Sequence, residues 1–502
     1  MSLKRDALAN YLGQAWGAAM ALAFIPVYIR YLGIESYGLV GLFAVIQTCM
    51  TLLDFGMTPT LNREMAKFRA SIVPAKEIID LLRTFEIVVA VLGGAIFLGL
   101  WGASDWLARD WLKPSAVTAQ EASLAISVMA LVVATRFVES VYKGALLGLG
   151  KQVWFNSVAS VFATLRWAGA AAAVAFVSPT LYAFFLTQAI VSLGSLLVLA
   201  AKVWRTLPAL PVRPRFSRPA LRSVQRFAAG MAGLSVLTLV LTQADKIILS
   251  RLLPLGDFAY YTLVATICSA VYLLVAPLTQ ALFPRLVALH ASQEKSRFAS
   301  LYHLASQTVT VLVAPLCMVL VLHGAGLVFL WSGDAALAHN SGSLLSVFAL
   351  GAFLNALMYM PSQAQVAAGW TGLQLRMNAL ASIVLVWALL VYVPRFGVMG
   401  AAVIWVGLNV FYVIFGIAFM HQRILEGEMK RWYLSDIVRP LGAGLAWALV
   451  LLPAAPSALE SRSRWLAYLA TVAMGSWLAS LLAAPDVRAR LFDNVRALHS
   501  AR

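Results

Sequence analysis

The sequence predicts an all-α polytopic membrane protein of about fourteen transmembrane helices, arranged as two six-helix halves and a C-terminal pair, with both termini cytoplasmic. Three observations predict it: an apolar composition, apolar runs long enough to cross a bilayer, and a one-sided distribution of lysine and arginine. Of 502 residues, 61% are hydrophobic and 12% charged, and the mean hydropathy is +0.83. Soluble domains carry about 25% charged residues because their surface must be solvated.

A hydrocarbon core of about 30 Å takes about 20 apolar residues of helix. Backbone groups in lipid must be satisfied internally, which selects helices, and the alternating pattern of an outer-membrane barrel is absent. The apolar runs place spans near 10–29, 38–60, 85–103, 122–146, 153–177, 180–201, 227–250, 258–282, 303–323, 342–366, 377–394, 398–420, 438–456 and 465–484. Lys4 and Arg5 precede the first run, which contains Asn10 and Gln14 and continues through Pro26 without a small-residue cleavage site. It reads as a permanent helix rather than a signal peptide.

With the N-terminus inside, the cytoplasmic segments hold 28 of the 38 basic residues and the outer segments hold seven (Arg30, Arg109, Lys113, Arg251, Arg395, Arg462 and Arg464). That asymmetry follows the positive-inside rule. Net charge is +17, but it sits in short loops and sets topology, so no nucleic-acid partner is expected. Cys49, Cys268 and Cys317 make no disulfide scaffold or metal motif, and no two of the six histidines lie four apart. No cofactor is expected beyond a proton or sodium gradient.

The chain organises into a six-helix half at 1–201, a basic Pro-rich linker at 202–226, a second half at 227–422, a final pair with its preceding loop at 423–484, and a basic tail at 485–502. RYLGIESYG from Arg30 and RLLPLGDFAYY from Arg251 suggest an internal repeat. A constant offset of 222 pairs Glu35 with Asp257 and Arg63 with Arg285. Two repeats of equal span number are a common transporter plan, with the substrate path at their interface. Segments 67–83 and 287–300, which follow the second and eighth spans, read either as short helices in the headgroup plane or as ordinary basic loops. The tail reads as an interfacial or mobile end.

Ionisable groups inside spans cost about 2.5–3.5 kcal/mol on insertion scales, so each needs a partner or a wet path. Arg136 and Glu139 lie three apart on one helix face, with Lys143 extending it. They read as an internal ion pair or as a substrate contact. Arg166 has no acid within four positions, so something outside its helix must compensate it: Glu139, Asp54 or an anionic ligand. Asp245 and Lys246 are adjacent, pointing about 100° apart, so one can face a lumen while the other pairs with a neighbouring helix. Asp54, followed by Gly56 and Pro59, marks an irregularity. Arg166, Arg136, Lys246 and Gln14 are the candidate substrate contacts; Asp54, Asp245 and Glu139 are the candidate ion-coupling groups.

An enzyme is disfavoured because no outer loop carries paired carboxylates or a histidine constellation. A channel is disfavoured because there is no filter-like repeat. The stretches YLGIESYGLVGLF (31–43), LDFGMTPTLNREMA (53–66) and QADKIILSRLLPLGDFAYYTL (243–263) resemble the bacterial polysaccharide-biosynthesis flippases. These are O-antigen and exopolysaccharide repeat-unit translocases of the multidrug/oligosaccharidyl-lipid/polysaccharide exporter superfamily. The resemblance implies an inner-membrane transporter that flips an undecaprenyl-pyrophosphate-linked oligosaccharide to the periplasmic face, with ion coupling suspected. It further implies membrane lipids and polysaccharide polymerase or other assembly proteins as partners, and function as a monomer. The alternatives are a peptidoglycan-precursor flippase or a multidrug exporter of the same superfamily. A non-transporting scaffold is the reading from a different class.

Overall fold

The computed structural model describes residues 3–52, 54, 56–208, 214–456, 459 and 461–491. Among them every regular element is helical, and twelve helices are long and apolar enough to cross a membrane. Large side chains such as Phe176, Val450 and Ile383 lie exposed on helix faces, as a lipid-facing surface requires and a water-facing one avoids.

The chain divides into two compact units, Met1–Thr262 and Leu263–Arg502. The first contains α1 (Leu3–Leu32), α2 (Ile34–Leu52), α3 (Met57–Arg69), α4 (Ala75–Gly102), α5 (Ala119–Gly148), α6 (Gln152–Val177), α7 (Leu181–Thr206), α8 (Arg218–Leu252) and most of α9 (Leu255–Cys268). At its centre α5 packs against α2, α3, α4 and α7, while α1 lies along α6 and α8 along α2. A capping box starts α5: Thr118 accepts from the Glu121 amide and Glu121 accepts from the Thr118 amide. Two glycines set its approach to α3. A Cβ at Gly144 would come within 2.6 Å of the Thr58 carbonyl, and one at Gly148 within 2.4 Å of the Asn62 carbonyl. In a membrane, where apolar burial gains little, such backbone proximity supplies the packing energy.

The expected span 38–60 is broken. It ends as α2 at Leu52 and resumes as α3 at Met57, with Gly56 in the left-handed region at φ 71°. Segment 67–83 is neither a headgroup helix nor a long loop: α3 runs to Arg69, a tight turn follows, and α4 begins at Ala75. The linker is shorter than expected, because α7 continues to Thr206 and α8 begins at Arg218. The amides of Arg215 and Ser217 bond Asp80 and Thr84 of α4.

A strap between α4 and α5 ties the α1–α2 corner to the α8–α9 corner. Glu35 accepts from the Ser115 amide at 2.5 Å, the Ser115 hydroxyl at 2.9 Å and the Ala116 amide at 2.7 Å. Lys113 bonds the Leu252 carbonyl through its ammonium and accepts from the Leu255 amide through its carbonyl. Trp111 donates to Ser250, and the Arg251 guanidinium donates to the Asp110 carbonyl.

The second unit contains α10 (Ala270–Ala291), α11 (Lys295–Leu322), α12 (Gly324–Ser332), α13 (Ala335–Leu357), α14 (Tyr359–Ala367), α15 (Gly372–Arg423), α16 (Met429–Ala454) and α17 (Arg462–Ala483). Here α11 is central, packed by α10, α13, α16 and α17. The expected spans 377–394 and 398–420 are two helices that meet at a kink at Gly397 (φ 58°, ψ −146°), named together as α15. The 324–341 connection is largely helical. The tail is not free at its start: residues 485–491 are helical, and Asp486 bonds Gln307 and Arg431. Residues 492–502 lie outside the described set.

The 222-residue offset reappears in the backbone. Ser71 and Gln293 are the two described non-glycine residues with left-handed φ, at 60° and 59°. Ala70, Ser71 and Ile72 donate to Ala66, Phe68 and Lys67; Ser292, Gln293 and Glu294 donate to Ala288, His290 and Leu289. Each partner in the second set is 222 residues after its counterpart. This is the Schellman closure, which satisfies the last helical carbonyls through one left-handed residue. A second pair, at Gly150 and Gly369, repeats the same three bonds at an offset of 219.

Gly148→Leu is expected to destabilise the protein by about 1–3 kcal/mol through overpacking, read as a lower thermal unfolding temperature in detergent. Gly99→Ala, where an added Cβ meets nothing within 4 Å, should leave it unchanged. Equal unfolding temperatures for Gly148→Leu and the native protein would remove the packing argument.

Candidate functional site

The candidate residues fall into two groups, both in the first unit. Arg136, Glu139 and Lys143 share one face of α5, and Arg166 projects from α6. Arg136 lies within Coulombic reach of both Arg166 and Glu139, Arg166 within reach of Glu139, and Lys143 within reach of Glu139, Arg136 and Asp54. Sequence spacing therefore found groups that the fold gathers.

Of the two readings of Arg136 and Glu139, the direct ion pair is not formed. Among the described residues none of Arg136, Glu139, Lys143 or Arg166 makes an ion pair within 4.0 Å. Glu139 Oε1 instead accepts from the Ser195 hydroxyl of α7 at 2.9 Å, while its Oε2 is buried with no hydrogen-bond partner. Arg166 Nη1 is likewise buried with no partner. Placing Glu139 three residues after Arg136 puts both on one face. The helix packing then turns the carboxylate toward α7.

The main chain around Arg166 is held from two sides. Gln188 of α7 donates to the Arg166 carbonyl at 3.3 Å, and the Tyr28 hydroxyl of α1 donates to the Trp167 carbonyl at 2.5 Å. Trp16 of α1 donates to Thr164 at 2.9 Å. The guanidinium is thus carried on a fixed backbone while part of its hydrogen-bonding capacity is unused. An unsatisfied buried polar group costs about 1–3 kcal/mol, more when charged. Two guanidinium groups and one ammonium oppose Glu139 and Asp54, and a planar guanidinium is the better fork for phosphate or carboxylate oxygens.

Asp54 is buried. Its carboxylate accepts from the Gly56 amide at 2.8 Å and the Thr58 amide at 3.2 Å. It terminates the break between α2 and α3, satisfying amides that the interrupted helix would orphan. Gln14 is exposed on α1.

Asp245 and Lys246 form the second group. The expectation that they point apart does not hold. Lys246 Nζ bonds both Asp245 oxygens, at 3.2 and 3.1 Å, and the Thr242 carbonyl. The Tyr261 hydroxyl of α9 donates to Asp245 at 2.8 Å. The lysine stem is long enough to fold back over the 100° between neighbours, so each charge offsets the other.

Sequence reasoning missed Ser195 and Tyr28, whose residue types carry no distinguishing signal, and Glu35, whose role depends on a loop 80 residues away.

Residues 3–290 match the family model described as polysaccharide biosynthesis protein. A Shigella flexneri protein named "Putative O-antigen transporter" is 24% identical over 406 residues, covering 81% of this chain and 94% of that protein. A solved structure of lipid II flippase MurJ in an inward closed conformation aligns with TM-score 0.72 at 12% identity, covering 95% of this chain and 98% of that one. An inward-facing multidrug resistance MATE family transporter of the MOP superfamily aligns with TM-score 0.65 at 17% identity, covering 83% and 96%. These structural likenesses establish a shared fold.

Asp54→Ala is expected to lower stability by about 1–2 kcal/mol, the usual cost of losing a side-chain cap, whereas Asp54→Asn should retain most of it. Thermal unfolding of the purified variants checks this. An alanine variant as stable as the native protein would show that the carboxylate is not needed to hold the break.

Proposed function

This chain belongs to the polysaccharide biosynthesis protein family, and on that premise we propose that it is an alternating-access transporter of the bacterial inner membrane. Its cargo is an undecaprenyl-pyrophosphate-linked oligosaccharide, flipped from the cytoplasmic to the periplasmic face. The observation that carries this reading is the buried, unpartnered Arg166 Nη1 on a backbone held by Gln188 and Tyr28, with Arg136 close by. A pyrophosphate offers the oxygens that this excess of cationic donors lacks. Flipping breaks no covalent bond, so the site needs no nucleophile or acid–base pair, and the polyprenyl tail can stay in lipid while the head passes.

The topology belongs to the same proposal. Twelve long apolar helices, taken with α8 and the division of α15 at Gly397, support a reading of fourteen crossings. The distribution of basic residues supports an orientation with both termini and 202–226 in the cytoplasm. In that orientation the 104–118 strap lies on the periplasmic side and holds that end of the first unit shut. The two matched turns support two related six-helix halves, with the last two helices added. A proton or sodium gradient is the energy source. Of Asp54, Asp245 and Glu139, only Glu139 keeps a buried oxygen without a partner. Lys246 and Gln14 are secondary contacts, the first because Asp245 already offsets it. Function as a monomer, working with the polymerase and other assembly proteins, completes the reading.

The MurJ likeness across 95% of the chain favours a second reading, in which the cargo is a peptidoglycan precursor. Both cargoes present a sugar head on a lipid phosphate, so both use the same cationic cluster. A multidrug exporter shares the fold, but a cationic drug would be repelled by an excess of guanidinium groups.

Arg166→Ala should abolish surface polysaccharide in a strain dependent on this chain while membrane levels stay normal, and Arg166→Lys should restore only part of it, because an ammonium lacks the bidentate fork. Full polysaccharide output from a well-expressed alanine variant would end the proposed contact. In a cysteine-free background, Arg109→Cys should react with a membrane-impermeant maleimide on intact inner-membrane spheroplasts and Arg215→Cys only after permeabilisation. The reverse pattern would invert the topology.

A further inference from the structure

The second unit buries a row of titratable groups that the cationic cluster does not use. His303 of α11 is fully buried and stands between two carboxylates. Its Nδ1 lies 2.5 Å from Asp436 Oδ2 and its Nε2 lies 3.0 Å from Glu428 Oε2. Asp436 is also fully buried and accepts from Gln307 at 3.0 Å. Gln307 donates in turn to Asp486, which pairs with Arg431 at 3.0 Å. A neutral imidazole has one N–H and one lone pair, and a carboxylate only accepts. A ring that meets a carboxylate oxygen at both nitrogens therefore needs a proton beyond the neutral complement.

Two further features surround the row. His421 Nε2 and Trp432 Nε1 are both buried with no hydrogen-bond partner. His421 Nδ1 is committed to the Ile417 carbonyl at 3.0 Å, so its Nε2 offers a lone pair, while Trp432 offers an N–H. The rings adjoin in sequence: Tyr302 to His303 at 5.3 Å, Tyr302 to His421 at 5.6 Å and His421 to Trp432 at 6.1 Å. In addition, Glu428 and Arg431 line a cavity of about 680 Å³ shared with His290, Lys295, Trp370 and Arg423. Glu428 is 32% exposed, so it joins the cavity to the buried ring.

We propose that Glu428, His303 and Asp436 form a proton-binding site, loaded from this cavity, that couples the transporter to a proton gradient. In the unloaded state the ring is neutral, with its proton on Nδ1 toward Asp436 and its Nε2 lone pair toward Glu428. A proton entering at Glu428 is transferred to Nε2 and gives the doubly protonated, loaded ring. Release of the Nδ1 proton to Asp436 leaves a neutral ring protonated on Nε2, so one proton enters and one is passed on. The groups facing it are Gln307 and Tyr302 of α11, Arg431, Trp432 and Tyr433 of α16, His421 at the end of α15, Asp486 after α17, and His290 across the cavity. Arg431 and His303 stand against three carboxylates, so removing the shared proton adds a negative charge at the junction of α11 with the final pair. That gives protonation a direct mechanical effect on how the final helices hold α11. This inference rests on the transporter reading for its coupling role; the presence of the proton does not.

The test uses the full-length protein in two arms. In liposomes, flipping of undecaprenyl pyrophosphate bearing a fluorescent amino sugar is measured with and without an imposed pH gradient of about one unit, which for one coupled proton is worth about a factor of ten. Native protein should accelerate by up to that factor, whereas His303→Gln and Asp436→Asn should flip at the same rate in both conditions. A gradient response retained by His303→Gln would overturn the site. In nanodiscs, ring-nitrogen NMR of ¹⁵N-histidine-labelled protein at neutral pH should show one imidazole with both nitrogens protonated, absent in His303→Gln and altered in Asp436→Asn. A native spectrum holding only neutral rings would overturn it even if every variant were inactive. If the native protein flips no lipid while the protonated ring is present, the transport reading fails and the proton site stands.

Discussion

A guanidinium carried on a membrane helix, with no acid touching it, is the constraint on which the first unit turns. Arg166 would be cheap to hold if Glu139 paired with it, but Glu139 spends one oxygen on Ser195 and keeps the other buried. Gln188 and Tyr28 hold adjacent carbonyls on α6, and glycines on α5 let α3 approach closely enough for backbone contact. A site that keeps charge unsatisfied on a rigid frame is organised in advance for a ligand of opposite charge, and such preorganisation reduces the entropy lost on binding.

The two units use central helices differently. In the first, α5 carries open-handed charge. In the second, α11 carries His303 and Gln307, whose polar atoms are spent on α16, on the turn before it and on the segment after α17. The final pair is therefore not merely appended in sequence. It is bonded through buried ionisable groups, and breaking one member of such a network leaves a buried charge without a partner, which is strongly unfavourable. The strap over the first unit is its counterpart without a cation: the Glu35 carboxylate gathers three amides and a hydroxyl from a loop that also grips the α8–α9 corner.

Much of this architecture was legible in the residues. Hydropathy found the long apolar helices because bilayer thickness fixes helix length, and Gly56 with Pro59 three residues on announced the break after α2. The 222-residue offset, seen first in Glu35/Asp257 and Arg63/Arg285, returned as matching hydrogen bonds around Ser71 and Gln293. What the sequence left hidden were tertiary partners. Spacing of three residues put Arg136 and Glu139 on one face but could not say which neighbouring helix would claim the carboxylate. Adjacent positions suggested that Asp245 and Lys246 diverge, yet a flexible lysine stem folded one onto the other. Asp54 looked like a free intramembrane acid and is consumed by two amides that exist only because the helix breaks. His303 and Asp436 stand 133 residues apart, and nothing local to either marks the other.

The central claim is that the cluster on α5 and α6 receives a phosphorylated head group. Equilibrium binding of undecaprenyl pyrophosphate to the purified protein, titrated across ionic strength, tests it most directly. If Arg166 contacts the pyrophosphate by charge-assisted hydrogen bonds, Arg166→Ala should weaken binding by about tenfold or more, since such a bond contributes about 1.5–3 kcal/mol. Binding of equal strength and equal salt dependence in the native and Arg166→Ala proteins would contradict the account.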